Sequence, residues 1–449
     1  MIIAIVIIFL LCYVFVALEN PLRINKAATA LITGVVLWTL YATLAPIDVV
    51  QHKLLIQLGE TSEILFFLIG AMTIVELIDV NGGFNIITNR ISTSNKRKLF
   101  WLIGFITFFM SAVLDNLTTA IVMVTLLSKI IPNYKERWVF ASIIIIAANA
   151  GGAWSPIGDV TTIMLWVRGN VTALSLMGNL ILPSLAALLV PLWLASHWLK
   201  GDIDPTTQKS LGNSNSQICP PTKKERISIL VLGMACLISV PIFKTVTHLP
   251  PYMGVLLALG VMWLYTELMY KRNPGNDNDK IEPRIPYVLQ RIDMPTLLFF
   301  LGILLSVGAL QASGVLGSVS AWLDTSIHNA YMTDIVVGIL SSVVDNVPLV
   351  AGAIATYPVG DAASVAASID PAYAANFMQD GLFWQFLAYT AGVGGSMLII
   401  GSAAGVVVMG LERMNFVWYL RNISLLAFAG FASGAIVFAL QMLVSSLIV

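Results

Sequence analysis

Ser111-Ala-Val-Leu-Asp115-Asn116-Leu-Thr118-Thr119 sits in the middle of one apolar stretch, residues 99–131, and Ser341-Ser342-Val-Val-Asp345-Asn346-Val-Pro348 in the middle of another, residues 331–357. A charged side chain at the centre of a membrane-spanning helix costs roughly 2.5–3.5 kcal/mol on insertion scales, so each acid needs a partner or a water-filled cavity. Pro348 also removes a backbone donor and breaks any continuous helix there. Both stretches are therefore expected to be re-entrant hairpins with the Asp-Asn pair at the tip. A tip frees backbone carbonyls, which membrane depth tolerates only where they line a cavity or are buried in protein.

The rest of the chain agrees with a membrane setting. Of its 449 residues 58% are hydrophobic and 11% charged, against roughly 25% charged in soluble domains. Apolar runs fall near 2–18, 27–46, 62–80, 138–167, 173–199, 227–247, 252–270, 294–313, 381–411 and 423–447. Runs of this length cross a hydrocarbon core of ~30 Å as helices. The fold class expected is an all-α polytopic membrane protein, with about ten transmembrane helices plus the two hairpins. The first run lacks a positive n-region and a small-residue cleavage site followed by a soluble domain, so it is expected to be a retained span. The net charge is zero, which gives no case for nucleic-acid binding, and Cys12, Cys219 and Cys236 show no metal or disulfide spacing.

Charge placement orients these elements. If both mid-polar stretches return to their starting side, then of 24 Lys and Arg only Lys53, Arg168 and Lys244 lie on the poorer face. The positive-inside rule makes the richer face cytoplasmic and leaves both termini periplasmic in a bacterial inner membrane. An ordinary single span over 99–131 would instead put Arg97 and Lys135 on opposite sides and blur the bias.

The two halves resemble each other. Phe66-Phe67-Leu68 matches Phe299-Phe300-Leu301, Ser111 to Asn116 matches Ser341 to Asn346, and Gly151-Gly152…Gly158 matches Gly394-Gly395…Gly401. The order suggests inverted repeats, an architecture of many secondary transporters. The first repeat is placed at 1–200, with hairpin 99–131 and broken helix 138–167. The second is placed at 227–449, with hairpin 331–357 and broken helix 381–411. Residues 201–226, rich in Ser, Asn, Thr and Pro, read as a cytoplasmic linker.

Chemistry concentrates at the breaks. Asp115, Asn116, Thr118 and Thr119, with Ser342, Asp345 and Asn346, offer the carboxylate, amide and hydroxyl oxygens that a hard cation such as Na⁺ selects. The competing reading is an acid paired with a buried base, but no Lys or Arg is expected at that depth. Asn149-Ala-Gly-Gly-Ala-Trp-Ser155-Pro-Ile-Gly-Asp159-Val-Thr161-Thr162 unwinds a span with three Gly and Pro156. Asp159 is a further candidate ligand, with a place at the outer interface as the cheaper alternative. The matching break, Thr390 to Gly405, carries Ser396 and Ser402 and no acid. Glu76, about one turn inside its span, is a candidate proton relay, again against an interfacial alternative. Walker, nucleophile-elbow and HExxH motifs are absent from the sequence, which argues against ATP hydrolysis and proteolysis.

At Ser111 to Thr119, Asn149 to Thr162, Ser341 to Pro348 and the Gly394 to Gly405 break, the chain resembles the NhaD family of Na⁺/H⁺ antiporters. That family sits in a superfamily with arsenite and carboxylate transporters. The resemblance implies Na⁺ or Li⁺ extrusion driven by proton entry, no cofactor beyond the transported ions, and a homodimer in membrane lipid. It implies that Asp115, Asn116, Asn149, Asp159, Thr161, Thr162, Asp345 and Asn346 belong to the functional core. The reading places Na⁺ at Asp115, Asn116, Asp345 and Asn346, with the two acids approaching one another. Acids at the hairpin tips repel anionic substrates; arsenite or carboxylate transport is the alternative within the superfamily.

A topology test follows from the charge argument. Single cysteines at Ser94 and Asn133, which flank the first hairpin, are expected to label from the cytoplasmic side together. Labelling from opposite faces would show an ordinary span and remove the inverted-repeat argument.

Overall fold

The computed structural model describes residues 2–17, 24–84, 95–131, 133–199, 201–202, 222–272 and 285–448. Among these the chain is helical, with no strand beyond the isolated bridges Asn95–Asp202 and Gly360–Met378. The first half runs α1 (Ile2–Ala17), α2 (Lys26–Ala42), α3 (Ile47–Val80), α4 (Lys96–Ser111), α5 (Asn116–Ile130), α6 (Tyr134–Ala153), α7 (Val160–Val167) and α8 (Ala173–Ser196). Then come α9 (Lys223–Thr247), α10 (Pro251–Arg272), α11 (Ile285–Leu289), α12 (Met294–Ala312), α13 (Val315–Ser326), α14 (Ala330–Leu340) and α15 (Asn346–Thr356). The short α16 (Ala362–Ala366) and α17 (Pro371–Ala374) lead to α18 (Leu382–Gly394), α19 (Ala403–Glu412), α20 (Phe416–Asn422) and α21 (Ser424–Ile448). Five of these, α8, α9, α10, α12 and α21, are long and apolar enough to cross a membrane. The molecule is a helical membrane protein.

The breaks expected from the sequence are present, and each has a local cause. The second arm of each mid-polar stretch starts on its own acid. Asp115 caps α5 by accepting from Leu117 N at 2.9 Å and Thr118 N at 3.3 Å. Asp345 caps α15 by accepting from Val347 N at 3.3 Å. The third and fourth breaks restart in the same way: Asp159 caps α7 through Thr161 N at 2.8 Å, and Ser402 caps α19 through Gly405 N at 3.2 Å. A side-chain oxygen at the N-cap satisfies backbone donors that the first turn leaves orphaned, a need that lipid makes more severe.

Side-chain contacts tie the two ends of each two-armed stretch to the neighbouring helices. Lys96, which opens α4, pairs with Glu136 in the first turn of α6 at 2.8 Å, although α4 and α5 lie between them. At the second stretch, Tyr331 near the start of α14 packs on Phe386, and Tyr357 after α15 packs on Phe383, both near the start of α18. The arms need close approaches. A Cβ on Gly151 of α6 would stand 2.2 Å from the Phe108 carbonyl oxygen of α4, and one on Gly394 of α18 would stand 2.2 Å from the Gly338 carbonyl oxygen of α14.

One expectation needs correction. The span expected at 62–80 is the second part of a single 34-residue helix, Ile47–Val80. Its first part lies outside the expected run and carries polar side chains, and these are satisfied. Lys53 reaches the Tyr41 hydroxyl and the Ala312 carbonyl, Gln57 donates to the Leu304 carbonyl, and Glu60 pairs with Arg168. The segment 360–380 is fastened to the rest of the chain. Asp380 accepts from Thr172 N at 2.6 Å and from its hydroxyl at 2.9 Å, which fastens the loop to the first half. Of the 201–226 linker, residues 203–221 lie outside the described residues, as do Cys219 and Ser94.

The crowding at the two glycines is testable. Gly151→Ala and Gly394→Ala push a methyl against rigid backbone, and overpacking of this kind costs about 1–3 kcal/mol. Both variants are expected to lower the apparent melting temperature in detergent, while Gly178→Ala, whose added Cβ meets open space, is expected to leave it unchanged. Equal melting of all three would show that the crossings are not tight.

Candidate functional site

Four helix ends meet around Asp159, which is only 1% exposed. Its Oδ2 accepts from Asn116 Nδ2 at 2.5 Å, and its Oδ1 accepts from the Thr161 backbone and hydroxyl at 2.8 and 2.7 Å. Asn346 Nδ2 lies 3.5 Å from both oxygens. One carboxylate thus binds the first residue of α5, the first turn of α7 and the first residue of α15. Asn116 Nδ2 also donates to Asn149 Oδ1 at 3.1 Å, and Asn149 Nδ2 donates to Ser396 and Ser402, each at 2.9 Å. The network therefore runs from the first half of the chain into both breaks of the second.

A cavity of about 60 Å³ opens beside this network, lined by Asp115, Asn116, Thr118, Asp159, Asp345 and Asn346 among apolar walls. Asp115 Oδ2 also takes the Thr118 hydroxyl at 2.9 Å. The volume suits a few waters or a small ion, well under the roughly 300–1,000 Å³ of a typical organic-ligand pocket. Among the described residues no three His, Cys, Asp or Glu stand close enough together to hold a metal ion as a cluster. The acids instead surround the cavity with neutral oxygens between them. Asp159 accepts bonds from more of the surrounding helix starts than Asp115 or Asp345 does.

Helix N-termini favour anions, because their free N–H groups and dipoles point outward. Here α5, α7 and α15 begin on Asp115, Asp159 and Asp345. The protein has filled its own anion positions with three carboxylates. What remains at the cavity is negative charge and lone-pair oxygen, which attracts cations.

The other expected residues divide clearly. Thr161 and Thr162 bond Asp159, through its Oδ1 and its backbone carbonyl. Ser396, Ser402 and Asn149 form the layer behind the cavity. Ser155 and Ser342 are buried and bond only locally, to Ile157 N and to the Ile339 carbonyl. Thr119 is buried with its hydroxyl unpartnered among the described residues, and it does not line the cavity. Glu76 pairs with Arg291 at 2.5 Å and does not line the cavity either, which leaves the proton relay without support.

Two residues escaped the sequence reading. The expectation that no base reaches the acids is wrong at Asp345: Lys26 Nζ lies 2.9 Å from its Oδ2. Lys26 opens α2 and counts as a rim charge by position, but its four-carbon stem reaches inward across the Phe299 ring, 4.5 Å from the centroid. Asp334 on α14 is fully buried, with neither carboxylate oxygen partnered among the described residues, and its single acid in an apolar helix was the available signal.

Broken half-helices meeting at buried acids, in a helical membrane protein, define the class as a membrane ion transporter. Comparison with known proteins narrows it. A family model described as "Citrate transporter" matches residues 13–378. Sodium/proton antiporter 2 of Arabidopsis thaliana is 42% identical over 94% of this chain and 95% of its own length; sodium/proton antiporter 1 of the same plant is 42% identical over 96% and 71%. The Na(+)/H(+) antiporter NhaD of Vibrio cholerae is 31% identical over 92% of this chain and 86% of its own length. The chain belongs to the NhaD family of antiporters, within the broader citrate-transporter group.

The centrality of Asp159 generates a test. Asp159→Asn keeps the side-chain shape and removes the charge on which Asn116, Asn346 and Thr161 converge; it is expected to abolish transport at normal expression. Ser155→Ala, which loses one long local bond of 3.4 Å and does not line the cavity, is expected to stay within about twofold of wild type. Vesicle flux normalised to protein content checks both, and full activity of Asp159→Asn would remove this residue from the mechanism.

Proposed function

We propose that this chain is a secondary transporter that exchanges Na⁺, or Li⁺, for H⁺ across the bacterial inner membrane by alternating access. The observation that carries the reading is the small cavity ringed by Asp115, Asp159 and Asp345, each at the start of a half-helix. Its size and charge favour a small cation over a tricarboxylate, despite the name of the family model. The names of the antiporter relatives support the same substrate pair. Na⁺ and H⁺ compete for the same carboxylates, and differential affinity is all that coupling requires.

Two approaches to the site support alternation. One cavity of about 450 Å³, lined by Lys26, Asp293 and Thr296, shares Lys26, Leu117, Thr296 and Ala403 with the central one. A second, of about 380 Å³, is lined by Lys53, Glu60 and Arg168. The half-helices α7 and α15 lie between. Val160 and Val347 at their starts line the central cavity, while Met164, Arg168 and Ala355 towards their ends line the second. Lys53, Arg168 and Lys244, the residues assigned to the poorer face, gather at that end, since Lys244 Nζ donates to the Trp166 carbonyl at 2.6 Å.

In this reading residues 1–200 and 227–449 are inverted repeats, and the two mid-polar stretches are their re-entrant hairpins. Matched contacts support the pairing. Ser111 donates to the Ala148 carbonyl at 2.6 Å, and Ser341 donates to the Ala391 carbonyl at 2.7 Å.

The deciding experiment is a preformed pH gradient in vesicles, challenged in turn with Na⁺, Li⁺, K⁺, arsenite, succinate and citrate. Na⁺ or Li⁺ is expected to collapse the gradient and the carboxylates are not. Asp115→Asn is expected to reach the membrane and lose the response, because Asn116 and Thr118 do not titrate. Carboxylate-driven flux with no Na⁺ response would sink the reading.

A further inference from the structure

Lys26 is the one basic side chain lining the central cavity among the described residues, and its position is unusual in three ways. It pairs with Asp345 at 2.9 Å through Oδ2, while Asp345 Oδ1 is engaged in capping α15. It lines the central cavity and the larger neighbouring one together, so it stands where the two communicate. That larger cavity is also lined by a second carboxylate, Asp293, which caps α12 through Thr296 N at 3.2 Å. Lys26 is 20% and Asp345 12% exposed, so the pair is neither sealed in the core nor free in solvent.

A lysine ammonium is a compact charge on a flexible stem, with three donors and no fixed fork. Its radius and charge let it occupy the place of a monovalent ion at a carboxylate. Without it, Asp345 would face Asp115 and Asp159 across a cavity of about 60 Å³ with no compensating charge. We propose that Lys26 is a resident counter-ion of the empty site: it holds Asp345 until the transported cation displaces it, and it then swings toward Asp293 in the adjoining cavity. The inference rests on the cation-exchange reading above and specifies which internal group the ion must compete with. It also assigns Lys26 a consequence for affinity, since a competitor tethered at Asp345 raises the concentration of every external cation that the site needs.

Competition has an arithmetic signature. A ligand whose competent state is populated for a fraction f binds with its intrinsic dissociation constant divided by f, so a site closed by lysine nine-tenths of the time binds about tenfold more weakly. Na⁺ binding should be read directly, as the Na⁺-dependent rise in melting temperature of the purified full chain in detergent at alkaline pH. Lys26→Met, which keeps the stem and removes the ammonium, is expected to lower the half-saturating Na⁺ by about tenfold, while Lys26→Arg keeps the competing charge and is expected to stay near wild type. Asp293→Asn retains a good N-cap but removes the alternative carboxylate. It is expected to move the half-saturating Na⁺ upward, and it serves as the independent reading if Lys26→Met does not fold. Lys26→Met binding Na⁺ no more tightly than wild type, or Asp293→Asn leaving binding unchanged where the first variant is lost, overturns the proposal. A wild-type chain with no Na⁺ response in melting or flux would instead overturn the exchange reading itself, so the two failures are separable.

Discussion

Everything at the centre of this molecule hangs on one buried carboxylate. Asp159 has no solvent to lean on, and an unpaired ionised group in a low-dielectric interior is far too costly to retain. It is held because two asparagines and a threonine reach it, and those side chains come from three separate helix starts. The arrangement fixes backbone as well as side chains. Asn116 and Asn346 are the first residues of their half-helices, so satisfying Asp159 also sets where α5 and α15 begin. Glycine makes the approach possible: a Cβ on Gly158, next to the acid, would stand 2.6 Å from the Ser111 carbonyl oxygen on the opposing arm. Packing and polar satisfaction therefore impose the same geometry.

The same four helix starts explain how one scaffold serves opposite substrates. An N-terminus with a neutral cap offers bare N–H groups to an anion. Once Asp115, Asp159 and Asp345 occupy those ends, the donors are consumed and the sign of the site inverts. The fourth start, Ser402, keeps a neutral cap and is turned to Asn149 instead. The halves are alike in backbone and unequal in charge. That inequality concentrates the carboxylates on the α5, α7 and α15 side of the cavity, and a wider family named for citrate is then no contradiction to a cation site here.

The fold was legible in the sequence to the extent that its features were expensive. Asp115 and Asp345 in apolar runs, Pro348, and the Gly-Pro-Gly break before Asp159 could not sit in plain spanning helices, so their reading as breaks held. Features that were cheap by position and decided by partners did not show. Residues 47–61 fell outside the expected runs because nothing local reveals that Tyr41, Leu304, Ala312 and Arg168 will satisfy Lys53, Gln57 and Glu60. Lys26 looked like a rim charge because charge counting records where the Cα lies and not where a four-carbon stem ends. In the sequence Asp159 is a candidate ligand with the outer interface left open as the alternative, since its sequence neighbours alone do not bring Asn116 and Asn346 to it.

The half-helices α7 and α15 offer a physical basis for moving an ion without opening the membrane. Their starts hold the central acids and their ends border a separate cavity beside Lys53, Glu60 and Arg168. A tilt of these two short rods relative to α12 would narrow one approach while widening the other. The backbone donors at their starts would stay capped throughout by Asp159 and Asp345, which travel with the rods they cap. No hydrogen bond within either rod has to break for access to change. Among the polar contacts such a tilt would have to change are those that reach the rods from outside: the 2.5 Å bond from Asn116 to Asp159 and the Lys26–Asp345 pair. Charge-assisted contacts of this kind respond to the arrival of a cation or a proton, whereas the packed apolar core around them does not. On the exchange reading, the interactions that cross between rigid parts are where a local change of charge would become a change of access.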